Sequence, residues 1–157
     1  MKVGRSQNPL LLLFRASRTW LNGRVHFHHH LDNHKLEDLG ERFLAFRRMV
    51  VDPNAEQPSI PGAVFRVRFR FKNLSETANR LLSLIPIPLI VAQPGFRSKT
   101  WLLGEKTGDF IGRYEFDTLE AAEDYWDSLP LRMMRRRAAP GSLTHDTFLA
   151  DPTPSSE

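Results

Sequence analysis

The chain has 157 residues, 41% of them apolar and 10% aromatic, which is enough for one ordinary hydrophobic core and argues against several domains. It contains no cysteine, which removes disulfide frameworks, thiolate metal sites and cysteine nucleophiles, and its longest apolar run, Leu10–Phe14, falls far short of the roughly 18 residues of a membrane helix. The net charge of +4 is uneven: residues 1–31 carry Lys2, Arg5, Arg15, Arg18 and Arg24 with no acid, so the basic pI of about 9.8 belongs to the N-terminal segment, and the body is close to neutral.

Residues 1–31 show no clear periodicity and read as a basic arm that the folded body does not need. A cytoplasmic location is expected, with organelle import through this acid-free start as the alternative. His26, His28, His29, His30 and His34, with Asp32, are rich in imidazole but lack the spacing of a zinc motif. They read as a docking or surface segment, and no metal site is expected. In Lys35–Val50, Leu36, Leu39, Phe43, Phe46 and Val50 recur at spacings of three and four and predict an amphipathic helix. Asp52–Gly62, with three prolines, reads as a linker, which closes an N-terminal region of residues 1–62.

From Ala63 to Lys72 the period becomes two: Phe65, Val67, Phe69 and Phe71 face one way, Arg66, Arg68, Arg70 and Lys72 the other. Asn73 with Glu76 has the form of a capping box for a helix that Pro86 and Pro88 stop. Phe96–Leu103 and Phe110–Phe116 read as a hairpin around Gly104–Asp109. Asp117 with Glu120 opens a second helix that Pro130 breaks, with a further helical turn in Leu131–Ala139; Ser142–Phe148 is the last strand, and Asp151–Glu157 a disordered tail. The order is β, α, β, β, α, β, so residues 63–150 are expected to form an α+β, ferredoxin-like domain: a four-stranded antiparallel sheet with both helices on one face.

The other face must be solvated, bind something flat or pack on a second sheet. RNA binding is disfavoured: in Phe69–Leu74, Arg70 stands where the first RNA-recognition motif needs a stacking aromatic, and Asp109–Phe116 lacks the basic-Gly-aromatic opening of the second. A different resemblance covers residues 63–148. Pro94-Gly95-Phe96 leading into Lys99 and Trp101, then Gly112-Arg113-Tyr114-Glu115-Phe116, then Leu119-Glu120-Ala121-Ala122 and Tyr125, resembles the YdhR-type monooxygenase-like proteins. Those belong to the dimeric α+β barrel superfamily, together with the antibiotic-biosynthesis monooxygenases.

The resemblance implies a homodimer in which two open sheet faces enclose a cavity, and a cofactor-independent monooxygenase or related enzyme acting on a small hydrophobic, aromatic ligand. A non-catalytic ligand-binding dimer is the alternative. Such chemistry needs a base, a cation for the developing anion and a dry enclosure. His145 is the expected base, Arg68 the anion partner, Arg66 and Arg70 further cations, and Trp101 and Tyr114 the walls, with no cofactor. Alternation places Arg113 and Glu115 opposite Tyr114, so these residues cannot all line one cavity.

Overall fold

The computed structural model describes residues 7–28, 31, 34–72 and 75–151. The capping residue Asn73, three members of the His-rich stretch (His29, His30 and Asp32) and the tail after Asp151 lie outside the described residues.

The expected ferredoxin-like core is present. Strands β4 (Ala63–Phe69), β5 (Phe96–Gly104), β6 (Phe110–Phe116) and β7 (Thr144–Leu149) run antiparallel in the spatial order β7-β4-β6-β5. Helices α2 (Glu76–Leu82) and α3 (Ile87–Val91) connect β4 to β5. Helix α4 (Leu119–Asp124), a 3-10 turn at Tyr125–Asp127 and α5 (Leu129–Arg137) connect β6 to β7. Caps are supplied one or two residues later than the expected Asn73 and Asp117: Ser75 accepts from the Ala78 amide and Thr118 from the Ala121 amide. None of the three prolines Pro86, Pro88 and Pro130 ends a helix. Pro88 and Pro130 occupy first-turn positions, where a missing N–H costs nothing, so they start α3 and α5.

The N-terminal region differs most from expectation. The helix lies at α1 (Pro9–Leu21), capped by Asn8, in the stretch read as an arm. Its Leu10–Phe14 run is apolar on every side and conceals the period, although only Leu12 and Ala16 are buried, against Leu89, Ala92 and Leu129. The span Lys35–Val50 is not a helix but a hairpin of β2 (Lys35–Asp38) and β3 (Glu41–Val51). Its two-residue turn places both Leu39 (φ 49°) and Gly40 (φ 77°) in the left-handed region, as a type I′ turn requires. A bulge at Phe46 then switches the phase of β3: Phe43 and Ala45 pair with Gly104 and Leu102 on one face, Arg47 and Met49 with Trp101 and Lys99 on the other. That switch imitates spacings of three and four.

Strand β3 joins the free edge of β5, and both β2 and β1 (Val25–His28) pair with β3, giving a seven-stranded sheet. The segment 52–62 is pinned to the body by Arg97, buried at a second bulge, which reaches Asp117 (3.0 Å) and donates to the Ser59 carbonyl. On the helix face, Phe65, Val67, Met49, Trp101, Tyr114 and Phe116 form the main core with Ile87, Ile90, Ala122, Tyr125 and Leu131.

The sheet is strongly curled. Strands β4 and β2 are four spacings apart, about 19 Å in a flat sheet. Arg68 Nη1 nevertheless lies 2.7 Å from Asp38 Oδ2, so the β2–β3 hairpin tip swings across the open face. Beneath it Phe43, Leu102 and Ile111 make a second small core.

Candidate functional site

The structure divides the expected site residues between the two faces. Strand pairing puts residues opposite one another on the same face: Arg66 lies against Arg113 and Asp146, and Arg68 against Ile111 and Thr144, on the open side. Tyr114 lies against Phe65 and Lys99, and Trp101 against Gly112, under the helices. His145 pairs with Val67 and so also belongs to the helix side, at the sheet edge.

Each open-face arginine already has a carboxylate. Arg68 is held by Asp38 (2.7 Å), Asp109 (2.9 Å) and Glu41 (3.1 Å), with its guanidinium over the Phe43 ring. Arg70 shares Asp109, and Arg66 makes a two-pronged contact with Asp146. Burial pushes the Glu41 carboxyl up, but the Thr107 backbone and hydroxyl, the Lys106 amide and Arg68 outweigh it and hold it below the usual range. A shallow depression of about 260 Å³ has Arg66, Arg68 and His145 on its border, together with Asp38 and Asp146. An anion entering there would have to displace these carboxylates, which disfavours the open face as an anion site. The exposed His145 ring stacks on Trp126 at 3.7 Å between centroids, and Arg135 lies 4.3 Å from the Trp126 centroid.

Trp101 and Tyr114 do come together, in a cleft between the sheet and α2, α3 and α5. Its walls include Phe69, Phe110, Ile90, Tyr125, Pro86 and Met134, and its volume is about 60 Å³. The cleft also contains a residue that sequence reasoning did not select. Lys99 is buried, with its Nζ 4.4 Å from the Trp101 ring centroid and 4.6 Å from that of Tyr114, and among the described residues no carboxylate or hydrogen-bond acceptor meets it.

The energetics disfavour the charged form. Burying an unpaired ammonium costs several kcal/mol, whereas each cation–π contact returns about 1–2 kcal/mol. Accordingly, burial pushes the Lys99 amine well below the ordinary lysine range, and the positive charge of Arg47 acts in the same direction. Arg47 itself is fixed by Ser83 Oγ at 2.8 Å and lies over the other cleft aromatic, Trp101. Burial raises the phenols of Tyr114 and Tyr125, whose rings are 4.7 Å apart, so both stay protonated. The Trp101 indole N–H is buried without a partner. An amine whose charged form burial disfavours, an unspent donor and an apolar enclosure therefore meet in one place. The sequence signal was Lys99 standing two residues before Trp101, hence on the same face of a central strand.

Among the described residues no helix is long and apolar enough to cross a membrane, and no group of three His, Asp or Glu side chains is placed to hold a metal. No family model and no curated protein matches the chain. Solved structures similar to it include a protein of unknown function from Nitrosomonas europaea, at 14% identity and TM-score 0.49, over 61% of this chain and 97% of the other. Others are an anthrone oxidase-like protein (15%, TM-score 0.44, 66% and 55%) and a Fusobacterium nucleatum protein provisionally assigned as a monooxygenase (8%, TM-score 0.45, 69% and 49%). The chain spans about half the length of these last two. At such identities the likeness says nothing of chemistry.

Proposed function

We propose that the protein binds a small hydrophobic, aromatic molecule in the cleft of a single protomer and oxygenates it without a cofactor, with Lys99 as the base. The observation that carries this reading is the buried Lys99 amine, open to the cleft and unmatched by any carboxylate among the described residues. A phenol-like substrate such as anthrone would give its acidic proton to Nζ. The ammonium so formed would rest against Trp101 and Tyr114, where the ring faces favour positive charge. The carbanion then reacts with dioxygen: the substrate CH2 becomes C=O, one oxygen atom enters the product, and the other leaves as water with the two hydrogens.

Size constrains the pose. A cavity of about 150 Å³ is what encloses a benzene ring. The cleft's volume of about 60 Å³ is smaller than that, so it encloses dioxygen or the reacting edge while the rings extend toward its open side. The same narrowness favours a second reading, ligand binding without turnover. Oxygen consumption with anthrone, scored as one dioxygen per quinone formed, tests the first. Saturable binding of anthrone with no oxygen uptake would leave the second.

The homodimer that the resemblance implies stays a proposal. Trp101 and Tyr114 lie under the helices and so would not wall a cavity between two open sheet faces. Sedimentation at about twice the monomer mass would support a two-fold dimer.

A further inference from the structure

We propose that Lys99 is also a covalent site: its amine condenses with the carbonyl carbon of an aromatic aldehyde or ketone seated in the cleft. In that step the carbonyl oxygen leaves as water with both amine hydrogens, and a C=N bond joins the ligand to Nζ. No oxidant or cofactor takes part. The inference rests on the cleft reading above but not on any oxygen chemistry.

Three features of the site favour condensation. The amine projects from a central strand into an apolar space, so an entering carbonyl meets it without a competing carboxylate among the described residues. The charged neighbour that acts on it, Arg47, has the same sign, and lysines become nucleophilic at neutral pH when desolvated or placed beside another cation. The aromatic pair Trp101 and Tyr114 flanks Nζ on its ring faces, which provides stacking surface for an aryl carbonyl at the point of attack. The raised phenols of Tyr114 and Tyr125 remain protonated and add no negative charge that would draw the amine into an ion pair.

The test uses the full chain, 2-naphthaldehyde and cyanoborohydride at pH 7, followed by peptide mapping for the reduced naphthylmethyl adduct. Surface Lys35, Lys72 and Lys106 act as internal controls. The expected result is an adduct at Lys99 at least about tenfold above each control, the ratio that one pKa unit provides, and its loss in Lys99→Met. In parallel, binding of 2-methylnaphthalene, which lacks the carbonyl, is followed by ligand-detected NMR. If that hydrocarbon binds and Lys99 is labelled no faster than the surface lysines, the covalent site is overturned while the cleft reading stands. If the hydrocarbon does not bind and Lys99 is unlabelled, both fall.

Discussion

The two faces of this sheet handle positive charge in opposite ways. On the open face, Arg66, Arg68 and Arg70 form a stripe that looks like an anion receptor in the sequence, yet each guanidinium is matched by Asp146, Asp38, Glu41 or Asp109. On the helix face, Lys99 is surrounded by aromatic rings and a cation, with no acid beside it among the described residues. Matched charge of the first kind holds the curled hairpin in place; unmatched charge of the second kind is an amine whose charged form its surroundings disfavour. Abundance of charge therefore points to structure here, and isolation of charge points to chemistry.

The sharpest way to break this comparison is Lys99→Met. Removing the base should lower anthrone oxygenation by about a thousandfold, within the usual range for general-base catalysis, without loss of the cooperative melt. An oxygen electrode and a thermal scan read the two quantities, and retained turnover would return the helix face to a purely structural role. Arg68→Met should do the reverse. It strands Asp38, Glu41 and Asp109 and should cost about 3 kcal/mol in urea unfolding, while the folded fraction keeps its turnover. A stable variant would mean that the arginine stripe is not what holds the hairpin.

The pH dependence of stability sharpens the point. Between the depressed folded value of Lys99 and the ordinary lysine value of 10.5, the unfolded chain binds a proton that the folded chain does not, so stability should rise with pH across that window. Above about pH 10 the effect should reverse, because the unfolded chain then loses phenolic protons that folded Tyr114 and Tyr125 retain. Urea midpoints at pH 7 and 9.5 should differ in the wild type, with the difference reduced in Lys99→Met.

Gly112 offers a steric test. A Cβ there would stand 2.8 Å from the Tyr114 ring, which packs across the glycine on the same strand face. Gly112→Ala should cost about 1–2 kcal/mol, as over-packing does, and should alter ligand affinity in titrations because Tyr114 must move within the cleft. The smallest effect is expected at the residue first read as the base. His145 stacks on exposed faces at the sheet edge, so His145→Ala should change stability by less than about 1 kcal/mol and leave turnover as it was. A large drop in turnover would restore His145 and move the site to the edge.

Much of the core was legible because its signals are local. The alternation Phe65-Val67-Phe69 against Arg66-Arg68-Arg70, the strand Phe110–Phe116 and the Ala-rich α4 each follow from one period and a nearby turn or cap. The β2–β3 hairpin was misread because a bulge at Phe46 changes the phase of β3, and that bulge exists only through pairing with β5. The helix α1 was missed because four consecutive leucines carry no period; its buried side is chosen by α3.

The amino-acid order alone thus determined the βαββαβ core and the incompatibility of the Arg113 and Tyr114 faces, since strand alternation depends on the chain and nothing else. Which arginines would find acids, and which cation would be left among aromatics, was decided by tertiary structure. Asp38 and Glu41 reach Arg68 only after the sheet curls, and the charged form of Lys99 is disfavoured only because Trp101, Tyr114 and the helices above them exclude water while no carboxylate comes near among the described residues.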